Sequence, residues 1–150
     1  LEKAEQPGTP SAAMQLRDGR IVTGRTTDLL GASSTLLLNA LKVLGGISDD
    51  IHLISPTVIE PIQHLKVDHL GNRNPRLHTD EVLIALSISA ATDPVAEQAM
   101  EQLGRLRGCE VHSSVILSPV DERVFRRLGV NITCEPHYQV KRAPLDDSEE

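Results

Sequence analysis

The chain has 150 residues and a formal net charge of −6, a size that fits one domain with a sizeable buried core. The acidic balance argues against a nucleic-acid or anionic-membrane footprint, and the near absence of aromatic residues removes the usual stacking platforms for single strands. The most apolar uncharged stretch, residues 82–92, is too short to cross a bilayer. We therefore expect neither nucleic acid nor membrane as a partner.

The two ends of the chain differ from its centre in composition. Residues 1–13 are rich in Pro, Ala and polar side chains, and the last residues, "DDSEE", are acidic. We expect a disordered linker over residues 1–13, a single domain over 14–138 and a disordered acidic tail over 139–150. Because the chain begins with Leu1, it is interpreted as an excised C-terminal domain or a processed product. Cys109 and Cys134 occur without a secretory signal, which favours a reduced, cytoplasmic protein over a disulfide.

The first elements are a hairpin and a buried helix. "MQLRDGRIVTG" places Asp18-Gly19 between two short segments, which predicts a tight β-turn between strands. "GASSTLLLNALKVLGG" then predicts a helix that is apolar nearly all round and ends at Gly45-Gly46. Within it, Asn39 needs a hydrogen-bond partner, and a bond to a neighbouring backbone is the structural role we expect.

The middle of the chain predicts one strand and three helices. "IHLIS", residues 51–55, is a strand candidate, and Ser55-Pro56 starts a helix that runs to about Leu70 with an irregularity near Pro61. Thr79 is expected to cap a helix that ends at Ala91. A further helix follows Asp93-Pro94.

The C-terminal third predicts a strand, a helix and a strand. "EVHSSVILS" is the first strand, Ser118 begins a capping box, and "VNITC" is the last strand. The predicted order is ββαβα(αα)βαβ. A mixed sheet with an N-terminal hairpin and a parallel C-terminal unit is the expected α/β fold.

That order resembles the three-layer sandwich of the cytidine-deaminase-like fold. The segment "ILSPVDERVFRRLGVNIT" stands where deaminases carry strand, P-C-x-x-C, helix and strand, and zinc deaminases need those thiolates, a further ligand and a Glu. Pro119 is present, but Val120 and Arg123 occupy the two cysteine positions, and "GASST" contains no His-x-Glu. We therefore expect no zinc and no deaminase activity.

A longer set of segments resembles the C-terminal part of the bacterial uncharacterised protein family 0371. It comprises "DGRIVTGRTTDLLGASSTLLLNALKVLGGI", "IHLISPTVIEPIQ", "GNRNPRLHTDEVLIALSISAAT" and "HSSVILSPVDERVFRRLGVNITCEP", so the resemblance covers about residues 14–138. It implies a longer protein whose upstream part carries a P-loop-like segment and binds a nucleotide. No G-x-x-x-x-G-K-[ST] occurs in this chain, so we expect no cofactor in this domain.

Three groups of side chains have a metal-site or charged-surface interpretation and a more ordinary one. Cys109-x-x-His112 and Cys134-x-x-His137 carry zinc-ligand types, but a separation of three on a strand sends Cys109 and His112 to opposite faces. His64 and Asp68 are one helical turn apart, whereas His64 and His69 are not well stacked on an α-helix. The arginines of the last predicted helix could attract an acidic partner. These arginines are Arg123, Arg126 and Arg127. Structural cysteines and solvated helix faces are the favoured interpretations, so no metal site is predicted.

The favoured ligand site is the start of the first long helix. Exposed amides at a helix start, helped by the dipole, attract phosphate or carboxylate. Here the side chains of residues 31–34 are small, Ser33 and Ser34 add hydroxyls, and Arg25 and Thr26 are close in sequence, with Asp28 as the main deterrent.

A second basic segment precedes Thr79. Arg73, Arg76 and His78 could turn towards the helix start at residues 31–34, where an arginine fork suits phosphate or carboxylate. The alternative is a polar loop paired with local acids such as Asp68 or Asp80.

Two functions of different classes follow. The first is a ligand-binding domain for a phosphorylated or carboxylated small molecule, with Arg25, Thr26, Ser33, Ser34, Arg73, Arg76 and His78 as its site. The second is a structural or oligomerisation domain whose helices "TLLLNALKVL" and "VLIALSISAA" pack against the upstream part of the protein or a second copy. Whether the domain is an enzyme stays open, because no set of nucleophile, base and orienting group stands out.

Overall fold

A computed structural model describes residues 10–134 of the chain, which contain four strands, five α-helices and two short helical turns of other types. In chain order these are β1 (Pro10–Gln15), β2 (Ile21–Arg25), α1 (Ala32–Gly45), α2 (Pro56–His64), a π-helical turn (Leu65–His69), α3 (Thr79–Ala90), α4 (Pro94–Met100), a 3₁₀ turn (Leu103–Leu106), β3 (Glu110–Ser113), α5 (Pro119–Arg127) and β4 (Asn131–Cys134).

The four strands form one mixed sheet in the order β2-β1-β3-β4. β1 runs antiparallel to both β2 and β3, with Met14 opposite Val22 on one side and Val111 on the other. β3 and β4 are parallel and are connected through α5. The predicted mixed α/β class, the N-terminal hairpin and the parallel C-terminal unit are therefore confirmed.

The helices cover one face of this sheet. Met14, Val22 and Val111 point into the core and are almost fully buried, whereas Gln15 and His112 on the opposite face are exposed. Period-two alternation of this kind is typical of a sheet with one solvated face. Within residues 10–134 the architecture has two layers, so the three-layer cytidine-deaminase-like arrangement is not confirmed.

Helix α1 lies directly on the hairpin at Gly24. A Cβ atom placed on Gly24 would be 2.6 Å from the carbonyl oxygen of Ala32 and 2.6 Å from the backbone nitrogen of Leu36. The missing side chain is thus what allows strand and helix to approach. Farther along α1, Asn39 Nδ2 donates to the carbonyl oxygen of Thr23 at 3.0 Å, which confirms the expected bond to a neighbouring backbone.

The predicted strand over residues 51–55 is wrong. These residues form an irregular connection, in which the adjacent Leu53 and Ile54 are both buried while Ile51 is exposed. Two consecutive buried side chains do not fit a half-buried strand, whose side chains alternate between faces. The segment instead leads into Ser55, whose side chain caps α2 by accepting from Thr57 N.

The N-terminal strand also starts earlier than predicted. β1 begins at Pro10, whereas the sequence placed the domain boundary at Met14. The small residues Ala12 and Ala13 carry little strand signal, but pairing with β2 and β3 on both sides holds them in the sheet. The rest of the predicted linker, the predicted acidic tail and His137 fall on residues 1–9 and 135–150, outside the described residues.

Three expectations about helix ends are confirmed and one irregularity is displaced. Asp93 and Ser118 cap α4 and α5, and Gly46 closes α1 with a positive φ of 68°. The irregularity expected near Pro61 lies farther on, since α2 continues through Pro61 and the π-helical turn begins at Leu65.

No helix among residues 10–134 is long and apolar enough to cross a membrane.

Candidate functional site

The segments that precede α1 and α3 lie side by side. Leu30 and Leu77 form an isolated parallel bridge, in which Leu77 N donates to Leu29 O at 3.0 Å and Gly31 N donates to Leu77 O at 3.3 Å. The buried hydroxyl of Ser34 donates to the same Leu77 carbonyl at 2.8 Å. The start of α1 is therefore joined to the residues that lead into α3.

The start of α3 is in turn joined to the start of α5. Asp121 Oδ1 accepts from Thr79 N at 2.9 Å and from Thr79 Oγ1 at 2.7 Å, and Thr79 is fully buried. Ser118 Oγ accepts from Asp121 N at 3.1 Å. The starts of α1, α3 and α5 thus form one connected cluster.

Thr79 does not cap α3, contrary to the sequence prediction. His78 occupies the N-cap position, and Thr79 is the first residue of the helix. Its hydroxyl donates to Asp121 across the core instead of accepting from its own helix. A buried carboxylate on another helix therefore serves the Thr79 amide, while Glu81 of α3 itself accepts from the N-cap amide of His78.

A buried lysine completes the cluster. Lys66 Nζ lies 2.8 Å from Arg76 O and 2.8 Å from Glu81 Oε1, and Lys66 is only 4% exposed. The same Glu81 oxygen accepts from His78 N at 2.8 Å. Lys66 therefore joins the π-helical turn to the loop at residues 71–78 and to α3.

Sequence reasoning missed Lys66, and its neighbours explain why. Leu65 and Val67 are 48% and 37% exposed, so the apolar side chains face outward while the lysine between them faces inward. The wider π-helical turn alters the positions of side chains relative to an α-helix, so hydrophobic periodicity gives the wrong face. The only available signal was Glu81, an acid in the first turn of α3.

Charges within the cluster shift two pKa values. Burial opposes the ionisation of Glu81, but hydrogen bonds with His78 and Lys66 outweigh it and lower the pKa of Glu81 from 4.5 to about 2. The Glu81 carboxylate, with Oε1 3.7 Å from His78 Nδ1, raises the pKa of His78 above 6.5, and Asp121 adds to this effect. His78 therefore holds a proton more tightly in the folded chain than in the unfolded chain.

We expect the free energy of unfolding to fall at both ends of the pH range. The Glu81 contribution is present above about pH 4.5 and is lost as the pH falls towards 2, because the unfolded chain binds that proton more readily. The His78 contribution is present below pH 6.5 and is lost as the pH rises through the higher folded pKa.

Urea unfolding measured from pH 5 to 9 checks the histidine part of this prediction. His78→Gln should flatten the decline above pH 6.5, whereas His112→Gln, a change on the exposed sheet face, should keep it. A decline in the free energy of unfolding that persists in His78→Gln would contradict the prediction. A decline that disappears in His112→Gln would mean that His112 causes it.

The residues predicted as a ligand site divide into two groups. Ser34, Arg76 and His78 come together around Leu77, and Arg76 Nε donates to Thr27 O. Ser33 is buried in the first turn of α1, and Thr26 is half-buried just before it. Arg25 and Arg73 are exposed, and within residues 10–134 no hydrogen bond or ion pair joins either of them to the α1 start.

The chain's own carboxylates neutralise some of these helix starts. At α3, backbone amides donate to Glu81, Asp80 and Asp121, and α5 carries Asp121 and Glu122 in its first turn. The first turn of α1, by contrast, has no acidic side chain and no side-chain cap. Among the three joined helix starts, α1 is the one where an external anion meets least repulsion.

Comparison with known proteins assigns the chain to a family. A family model described as "Domain of unknown function DUF1846, C-terminal" matches residues 1–143. The chain belongs to the DUF1846 C-terminal domain family. This confirms the resemblance to uncharacterised protein family 0371, and the family's description assigns no activity.

Relatives of this DUF1846 domain are bacterial and much longer. The chain is 61% identical over 116 residues to a UPF0371 protein of Corynebacterium urealyticum, a match that covers 77% of the chain and 23% of that protein. It is 64% identical over 113 residues to a UPF0371 protein of Corynebacterium diphtheriae, a match that covers 75% of the chain and 23% of that protein. A UPF0371 protein of Streptococcus pyogenes is 53% identical over 117 residues, covering 78% and 24%. The chain thus spans about a quarter of the length of these relatives.

The π-helical turn of the DUF1846 domain also brings two histidines together. Imidazole rings of His64 and His69 meet edge to face with centroids 5.1 Å apart, and His64 Nδ1 contacts Asp68 Oδ2. The expectation that residues five apart are not well stacked applies to an α-helix and is wrong for this turn.

Cys109 is buried and His112 exposed, as predicted for opposite faces. Among the described residues, no three His, Cys, Asp or Glu side chains are grouped to hold a metal ion.

Proposed function

We propose that this domain binds a phosphorylated or carboxylated small molecule at the start of α1. The observation that carries the proposal is the Leu30–Leu77 bridge, which fixes Arg76 beside a helix start whose first turn has no acid. Backbone amides at such a start attract anions, and an arginine supplies planar, charged donors next to them.

The detailed contacts refine which predicted residues take part. The Ser34 hydroxyl already donates to Leu77 O, so its role is to hold the cluster together. Arg76 uses its Nε hydrogen on Thr27 O, and a guanidinium has five N–H donors, which leaves four for a ligand. The proposed contacts are therefore the amides of Ala32 and Ser33 and the guanidinium of Arg76, with Arg25, Thr26, Arg73 and His78 as a surrounding polar shell.

The wider role follows from the relatives' length. The bacterial relatives are about four times as long as the matched segment, and the proposed binding domain forms one part of such a protein. The nucleotide dependence implied by the family resemblance is assigned to the remaining part, since this chain has no P-loop sequence.

Thermal unfolding with added inorganic phosphate, citrate or sodium chloride at equal ionic strength tests this proposal. Phosphate or citrate should raise the melting temperature beyond chloride, because a ligand that binds the folded state stabilises it by mass action. Arg76→Lys, which keeps the charge but loses the planar fork, should weaken binding by roughly tenfold.

The control is Arg127→Ala, a change at an exposed residue near the end of α5 that should leave the phosphate response unchanged. Equal responses to phosphate and chloride would contradict the proposal. So would a phosphate response that is the same in Arg76→Lys and the parent chain.

A further inference from the structure

The outward face of α3 is apolar and exposed. Ile84 and Ile88, one helical turn apart, are 60% and 62% exposed. Ser87 and Ala91 lie on the same stripe at helical spacing and are also exposed. The opposite face of α3 is buried in the core through Val82, Ala85 and Leu86, so the helix presents apolar side chains on both faces.

The serines of α3 do not make this face polar. Ser87 Oγ donates to Ile84 O at 2.9 Å, and Ser89 Oγ donates to Ala85 O at 2.9 Å. Both hydroxyl protons are therefore used within the helix, which lowers the cost of removing the serines from water. Residues 82–92 also contain no charged side chain. Helices that are apolar all round are normally covered on every side.

The size of the stripe indicates what covers it. Stable complexes between separate proteins bury roughly 800 Å² on each partner, which is far more than two isoleucines and their small neighbours can supply. A contact within one polypeptide needs less area, because the tether supplies a high effective concentration. The relatives carry about three quarters of their length outside the segment that matches this chain.

We infer that, in the longer protein, the Ile84–Ile88 face of α3 packs against an apolar surface of another domain of the same polypeptide. This inference is separate from the anion site, since Ile84 and Ile88 lie beyond the first turn of α3 and outside the cluster of helix starts. It also refines the expected packing of the two apolar helices. Leu36, Leu37 and Leu41 of α1 are already buried within this chain, so α3 carries the interface.

The test compares Ile84→Glu/Ile88→Glu in the 150-residue chain and in the longer protein. In the 150-residue chain the double change is at exposed positions, and the melting temperature should move by less than about 2 °C. In the longer protein it would bury two carboxylates in an interface, and the melting temperature should fall by at least about 5 °C. Ile84→Val/Ile88→Val, which keeps the face apolar, is the matched control and should stay close to the parent in both.

Three results would overturn the inference. The double glutamate change could leave the longer protein as stable as its parent, which would mean the face is uncovered. It could destabilise the 150-residue chain as much as the longer protein, which would place the isoleucines in the packing of the domain itself. Sedimentation could also show that the 150-residue chain is a dimer which the glutamates dissociate, which would make a second copy the occupant.

Discussion

Gly24→Ala is expected to destabilise the chain by about 3 kcal/mol, near the upper end of the cost of overpacking a core. The added Cβ would lie 2.6 Å from Ala32 O, from Leu36 N and from Leu36 Cβ. Two of these atoms belong to the backbone of α1, so no side-chain rotation relieves the clash and the helix must move away from β2. Because one kcal/mol corresponds to about 2–4 °C at this size, the melting temperature should fall by about 6–12 °C.

Gly104→Ala is the matched control for this prediction. A Cβ on Gly104 meets nothing within 4 Å, and its φ is not positive. That substitution should be neutral or slightly stabilising, because it restricts the unfolded chain. Equal melting temperatures for the two variants, measured by circular dichroism, would show that α1 does not depend on contact at Gly24.

Lys66→Met is expected to cost about 3 kcal/mol of unfolding free energy. Methionine keeps most of the apolar length of the side chain but removes the ammonium that serves Arg76 O and Glu81 Oε1. Removing one partner of a buried ion pair costs about 3–5 kcal/mol when the other charge is left alone. Here Glu81 keeps its contact with His78, whose Nδ1 lies 3.7 Å from Glu81 Oε1. The side chain of Glu81 is 27% exposed, which places the expected cost at the lower end of that range.

The double variant Lys66→Met/Glu81→Gln separates charge from packing. It removes both charges of the pair, so part of the stability lost in Lys66→Met should return. The return is incomplete because the Glu81 carboxylate also pairs with His78. Urea unfolding of the parent, both single variants and the double variant gives the coupling energy. A coupling near zero would mean that Lys66 and Glu81 contribute independently, contrary to the geometry.

Local signals in the sequence predicted the elements that depend on local chemistry. The turn at Asp18-Gly19, the cap at Ser118 and the helix end at Gly46 each depend on residues within a few positions of one another. The strand predicted for residues 51–55 was wrong because a short apolar run does not distinguish a strand from a buried connection. There, packing of Leu53 and Ile54 against the core decided the outcome.

The candidate site was predicted less completely because its bonds join distant parts of the chain. Sequence reasoning placed Arg76 and His78 near the α1 start, and the structure joins these segments through Leu77. It could not find that Asp121, 42 residues away, accepts the Thr79 hydrogen bonds. Sequence reasoning also could not find that the side chain of Lys66 is buried in the π-helical turn, since hydrophobic periodicity assumes an α-helix.

The position of β1 in the middle of the sheet affects how the chain folds during synthesis. Met14 pairs with Val22 across the hairpin and with Val111, which is 97 residues later in the chain. At about 5–20 residues per second, the ribosome releases β3 roughly 5–20 s after β1. During that interval the hairpin has no third strand, and two strands alone are marginally stable in water. We therefore expect docking of α1 at Gly24 to stabilise the nascent hairpin until its C-terminal partner emerges.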